Sequence, residues 1–427
     1  MRVFLKATFL ASLIAIYSGF AVGASTAGIG SKEDVQKFRW KSKSIEIAIS
    51  RSLTSQNTNI KSGSDVAGAI RRSIASWQDV ASIEIVTTES GKTDVSPAGP
   101  SGDGVSLITI AQTPENLLFF GRDPYSVSAR TRIFYNRRGI ITEADIVLNP
   151  FQQFSTDGSY GTFDLESTLR HEIGHLLGLR HSKVVGATMY DSALKNGDNG
   201  LQYQIGRLSD DDIASIRAIY GSSQPNEECC GSIVGKISST SRSGREFLVW
   251  AQDSFSGRIV SSTTTDRLKG FRLDGLIVGK YSVYAIESGV MPGFSRQRLE
   301  DVIVEKGSTA SLNSRYSRKP VGFSLELLGM NGLLSDSSIT LERGSSYILL
   351  AGGKNISSDR VRIVCDSPFL SVERESIENV TFDANLSAVS FRIVVDNETP
   401  PGQYNILAIS DNDSADIRVG ALTVAAE

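Results

Sequence analysis

Eleven residues in the middle of the chain restrict its fold more than any other stretch: His171-Glu172-Ile173-Gly174-His175-Leu176-Leu177-Gly178-Leu179-Arg180-His181. On an α-helix, residues four apart differ by about 40° in direction, so His171 and His175 project from one face, one turn apart, and can share a small cation. Glu172 adjoins them, too close to be a comfortable third ligand but well placed for a water on the ion. Gly178 permits positive φ, so the chain can turn back sharply, and His181 then meets the ion from a loop. Three imidazoles and one open position are the layout of a catalytic zinc rather than of a closed structural one. Ordinary residue frequencies produce this five-position pattern on the order of once in 10⁵ such chains. The whole chain contains 3 histidines, and all of them fall here, which a scattered surface population would not do.

The flanking sequence supplies the rest of a domain. Asp164 is a cap for a helix from Leu165 that turns Leu169, Ile173 and Leu176 to the core and stops at Gly178. Upstream, Ile45, Ile47 and Ile49 alternate as in a strand. Val66, Ile70, Ile74 and Trp77 recur at helical spacing after Asp65. Residues 83–86 and 105–110 read as strands, and 131–135 and 140–148 as a hairpin about Asn136 to Gly139. Downstream, Ser209 and Asp212 have capping-box spacing, and the helix they open ends at Gly221. This order predicts an α+β domain over 39–221, with one mixed sheet and about three helices.

The remaining length, within 427 residues, leaves room for further domains. Residues 222–228, with Pro225, read as a linker. Beyond it, Gly/Ser turns separate β-rich runs such as Phe247-Leu248-Val249-Trp250 and Tyr281-Ser282-Val283-Tyr284, with little helical pattern. The expected fold is therefore multidomain: the α+β domain, then two all-β sandwiches at 229–305 and 320–427, joined by a polar, basic linker at 306–319. At the other end, Arg2 and Lys6 precede an apolar stretch over 7–21 and small residues at 22–24. Residues 1–24 thus read as a secretion signal and 25–38 as a flexible lead-in. No later segment is long and apolar enough to cross a bilayer, so the mature chain is expected to be soluble and exported. A net charge of −3 with dispersed Lys and Arg gives no electrostatic case for nucleic acid as a partner. The 3 cysteines, Cys229, Cys230 and Cys365, are an odd count that leaves one long-range bridge or none, and a bond between the adjacent pair would be strained. No Cys-x-x-Cys spacing suggests a thiolate metal site.

The histidine segment is the HExxHxxGxxH signature of metzincin zinc proteases, and its neighbours resemble the matrixin branch. Ser182 follows the third histidine. Ala187-Thr188-Met189-Tyr190 resembles the Met-turn, which makes Met189 the hydrophobic base beneath the metal. The stretch from Leu208 to Gly221 is similar to the closing matrixin helix, and Trp77 and Glu143 to Asn149 also fit. The resemblance covers about 38–221. It departs from animal matrixins in having no histidines left for a second, structural zinc, no cysteine-switch propeptide, and Asp191 where Pro is common after the Met-turn.

What the resemblance implies is a secreted, extracellular or surface-associated zinc endopeptidase acting on proteins or peptides. It would hold one catalytic Zn2+ on His171, His175 and His181, with Glu172 as general base and acid. The strand Ala144, Asp145, Ile146, Val147 and Leu148 would be a sheet edge that pairs with extended substrate. Ca2+ is not derivable from any residue pattern. The segment Thr263 to Tyr281 resembles the carboxypeptidase regulatory-like sandwich, and Pro401-Gly402-Gln403-Tyr404 a bacterial Ig-like module. These domains are expected either to attach the protein to a surface or substrate, or to serve as spacers. The competing reading is an extracellular binding or adhesion protein with an inactive or self-processing metzincin domain; an intact Glu172 argues against an inactive one.

Overall fold

The structure, a computed structural model, describes residues 38–426 apart from 122–124, 126, 193, 198–206, 225–227, 240–244, 267, 290–292 and 382–385. The expected signal, nearly all of the lead-in and the middle of the 222–228 linker lie outside the described residues.

The first part of the chain runs β1 (Arg39–Trp40), β2 (Ser44–Ser50), α1 (Arg51–Thr54), α2 (Val66–Gln78), β3 (Glu84–Ser90), β4 (Leu107–Thr109), α3 (Pro114–Leu117), β5 (Ala129–Tyr135), β6 (Ile140–Leu148), β7 (Phe154–Ser155), β8 (Phe163–Asp164), α4 (Leu165–Leu176) and α5 (Asp210–Tyr220). The three expected helices are α2, α4 and α5; α1 and α3 are single turns. Each long helix starts where a side chain can satisfy its first amides. Asp65 accepts from Gly68 N at 2.9 Å, Asp164 accepts from Ser167 N at 2.7 Å, and Ser209 and Asp212 form the reciprocal capping box. The sheet is mixed, in the order β1-β6-β4-β2-β3. All of these neighbours are parallel, whereas β5 lies antiparallel against the free side of β6.

That topology corrects the expected sheet edge. β6 is paired on one side with β1 and β4 and on the other with β5, and Ala144, Asp145, Ile146, Val147 and Leu148 are all buried. Their ladder groups are already used, so they are not available to add a further strand. The edge belongs to β5. The acidic side chains of β6 have a different duty: Asp145 accepts from Ser96 N at 2.9 Å and Leu107 N at 3.0 Å, and Glu143 accepts from Gly104 N at 2.5 Å. These bonds pin the Gly/Pro/Ser loop between β3 and β4. Helices α2 and α4 cover one face of the sheet. Trp77, fully buried, donates its Nε1–H to Arg170 O at 2.9 Å, and Trp40 donates to Leu176 O at 2.9 Å.

The rest of the chain is all β. Strands β9 (Cys229–Ser239), β10 (Phe247–Asp253), β11 (Ile259–Thr264), β12 (Gly270–Ile277), β13 (Gly279–Glu287), β14 (Gln297–Val304) and β15 (Thr309–Tyr316) form two sheets, β11-β10-β13-β14 and β12-β9-β15, around a core that includes Ile233, Val249, Leu273, Val283 and Tyr316. Strands β16 (Leu327–Met330), β17 (Leu333–Ser335), β18 (Ile339–Leu341), β19 (Ser346–Gly353), β20 (Val361–Cys365), β21 (Leu370–Thr381), β22 (Ser387–Val395), β23 (Gly402–Ser410) and β24 (Ala415–Val424) form a second pair, β17-β16-β19-β22-β21 and β18-β24-β23-β20. The expected linker at 306–319 is largely a strand: β15 pairs in parallel with β9 along its whole length. Its polar sequence hid this, because only Leu312 and Tyr316 are buried. Cys229 and Cys230 are joined to each other, and Cys365 is free, with burial pushing its thiol upward. Among the described residues, no helix is long and apolar enough to cross a membrane.

Candidate metal centre

Helix α4 delivers His171 and His175, and the chain after it delivers His181. Gly178, at φ 98°, makes the return, and any Cβ there would lie 2.3 Å from Phe38 O. The three rings face one another, with centroids 4.7, 5.3 and 4.8 Å apart. One nitrogen from each lies within 4.8 Å of the other two, and His175 Nε2 and His181 Nε2 are 3.1 Å apart. A tetrahedral zinc with bonds of about 2.0–2.1 Å needs nitrogens about 3.3 Å apart, so the cluster is close to the required size.

Hydrogen bonding fixes the tautomers of two rings. His171 Nδ1 is 2.7 Å from Thr188 O and His175 Nδ1 is 2.9 Å from Leu179 O. A carbonyl can only accept, so each Nδ1 carries the hydrogen and each Nε2 presents a lone pair. Charge points the same way. Burial, then the His171 and His181 rings, hold the His175 pKa well below the usual histidine value; burial, then His171, lowers that of His181 to about 4. Neutral imidazoles are the form that binds a cation, so the donor set fits the ion the sequence predicts.

Gly174 shapes the underside. A Cβ on it would lie 2.3 Å from Met189 Sδ and 2.9 Å from Trp77 Cζ2, so the bare backbone lets the buried Met189 sit directly against α4. Asp212 positions that methionine: its carboxylate accepts from Thr188 N at 2.7 Å and Met189 N at 3.1 Å. The acid that caps α5 therefore also holds the turn whose Thr188 carbonyl orients His171.

Glu172 points away from the helix toward β5. Its Oε2 accepts from Thr131 Oγ1 at 2.5 Å. Burial raises its pKa, opposed first by the neighbouring His171 and then by the Thr131 bond. The structure thus brings His171, His175, His181, Glu172 and Met189 together, and places Ala144 to Leu148 behind the edge strand instead of on it. Thr131, Asp212 and Thr188 were missed as site residues. Asp212 was read as a cap only, and nothing local marks a strand threonine as a partner for a glutamate on a distant helix.

A mixed sheet with one antiparallel edge strand and three convergent histidines above a methionine agrees with the arrangement expected from the histidine signature. Residues 130–221 match the family described as Matrixin. The chain is 27% identical over 176 residues to interstitial collagenase from Oryctolagus cuniculus, covering 41% of this chain and 32% of that protein. It is 46% identical over 69 residues to metalloendoproteinase 5-MMP from Arabidopsis thaliana, covering 16% and 17%. It is 26% identical over 162 residues to matrix metalloproteinase-19 from Homo sapiens, covering 37% and 26%. The chain spans a third or less of the length of these relatives, and the family match covers the part that carries the histidines.

Proposed function

We propose that the protein is a secreted zinc endopeptidase, and that the convergence of His171, His175 and His181 beside a carboxylate held by Thr131 is the observation that carries this reading. Zinc, when bound by these histidines, supplies Lewis-acid polarisation of a peptide carbonyl and acidifies a water to a pKa of about 7. Glu172 takes the proton from the attacking water on the carboxylate oxygen that Thr131 does not hold. It then returns that proton to the departing amine, so no covalent enzyme intermediate forms. Burial, which raises the affinity of Glu172 for a proton, suits it to both halves of the exchange.

The substrate main chain pairs with the open side of β5 as an added strand. β6 supports β5 from behind, in a register that places Ala144 opposite Ile133 and Leu148 opposite Ala129. Residues 1–24 direct export, and the mature chain works outside the cell on protein or peptide substrates. The deciding experiment is cleavage profiling on a proteome-derived peptide library with the full chain, with and without a zinc chelator. Chelator-sensitive cleavage is expected; a pure zinc-loaded chain that cleaves nothing would leave only a metal-binding protein.

A further inference from the structure

The segment between His181 and Met189 is held from two sides. From within, Asp212 fixes Thr188 and Met189, and Ser182 N donates to Met189 O at 2.8 Å. The outer side is covered by the β-sandwiches. Val185 N donates to Val419 O and Gly186 N to Gly420 O, both at 2.9 Å, so the segment is bonded along β24. Val184 and Ala187 are buried in a cluster with Trp250 and Ile259 of the first sandwich and Leu407 and Val419 of the second.

The contact is close enough to exclude side chains. A Cβ on Gly186 would lie 2.5 Å from Thr423 Oγ1 and 2.9 Å from Gln403 Cγ, and one on Gly420 would lie 2.3 Å from Val184 Cγ1. A second bridge is polar. The buried carboxylate of Asp211 accepts from Ser182 Oγ at 2.5 Å on one oxygen and from Ser262 N on the other. Ser182 follows the third histidine in sequence, and Ser262 lies on β11, the edge strand of its sheet. Arg258 forms an ion pair with the neighbouring Asp210 at 2.9 Å.

We propose that the two C-terminal sandwiches are positioning elements of the metal centre, acting through Val419, Gly420 and Ser262 on the segment 182–190, which orients His171 through Thr188 and follows directly on His181 in the chain. They are neither spacers nor independent attachment modules. The path is short. β24 and Ser262 hold 182–186, this segment pairs with Met189, and the adjoining Thr188 carbonyl fixes His171 Nδ1. Orienting a ligand through its second nitrogen is an outer contact of the kind whose loss costs about 10–100-fold in metal affinity. The inference rests on the peptidase reading for its kinetic consequences, but not for its effect on zinc affinity.

The test uses the full chain and two single variants made outside the histidine cluster. Gly186→Ala drives a methyl into Thr423. Ser262→Pro removes the amide that serves Asp211 at an edge position where proline is tolerated. Zinc affinity is measured by competition with a chromophoric chelator, unfolding by circular dichroism, and peptide hydrolysis at saturating zinc. Zinc binding is expected to weaken about tenfold in each variant, with kcat reduced and KM changed by less than a factor of two. Thr423→Ala added to Gly186→Ala is expected to recover part of the zinc affinity, as directly interacting sites do, and weakened zinc binding with an unchanged unfolding midpoint separates positioning from general destabilisation. Wild-type zinc affinity in both folded variants, or no recovery in the double variant, overturns the proposal. Absence of hydrolysis in the wild type would instead defeat the peptidase reading and leave the affinity test standing.

Discussion

Thr131 Oγ1 donates to Glu172 Oε2 at 2.5 Å and lies 3.2 Å from the Glu172 carbonyl oxygen, so a hydroxyl on the edge strand sets the position of the carboxylate on the histidine-bearing helix. Thr131→Val keeps the shape and removes the donor. We expect kcat to fall about tenfold, in line with one lost hydrogen bond to a charged group, while Thr131→Ser stays near wild type. Steady-state kinetics of the two variants checks this, and equal rates for Val and Ser would remove Thr131 from the mechanism.

Glu172→Ala is expected to fold, to bind zinc and to lose about 10² to 10⁴ in kcat, the usual worth of a general base. Elemental analysis alongside the rate separates lost chemistry from lost metal. Wild-type turnover would reject the assigned role.

One zinc per chain is expected, since all 3 histidines are used at one centre. Replacing His175, whose ring is buried, with Ala should abolish tight zinc binding. Two equivalents of zinc by mass spectrometry under native conditions would contradict this count.

Gly174→Val places branched bulk where Met189 Sδ and Trp77 Cζ2 already sit within 3 Å of a single Cβ. Trp77 cannot yield, because its indole N–H is tied to Arg170 O. A loss of about 1–3 kcal/mol is expected, as for overpacked cores. Urea unfolding measures it, and an unchanged midpoint would show that the underside of α4 has slack.

Asp145 is expected to make stability fall with rising pH. Burial raises its pKa to about 7 from an ordinary 3.8, against the two amides that favour its charge. Between those values the unfolded chain is ionised and the folded chain is protonated, so unfolding releases a proton and the contribution is lost as pH rises through 7. Asp145→Asn removes the ionisation. The difference in melting temperature, variant minus wild type, should become more positive from pH 5 to pH 8; a flat difference would show that Asp145 is ionised throughout.

The helix that carries His171 and His175 was legible because everything that defines it is local: a cap at Asp164, apolar residues at helical spacing, histidines four apart and a glycine stop. The capping box at Ser209 was legible for the same reason. The edge strand was not. An interior strand and an edge strand carry similar apolar runs, and whether β6 or β5 has a free side depends on which distant strands pair with it. Residues 309–316 were misread because two buried side chains in eight leave a strand looking like a linker. The contacts of Gly186 with Thr423 and of Asp211 with Ser262 depend on how whole units meet, and periodicity does not record that.

The histidine count has a practical consequence. Since no imidazole lies outside the cluster, every ring signal in a histidine-selective NMR spectrum, and every adduct formed by an imidazole-directed reagent, reports on the metal centre alone. Occupancy can then be followed in the purified protein without any engineered probe, provided the protein is prepared without a polyhistidine tag.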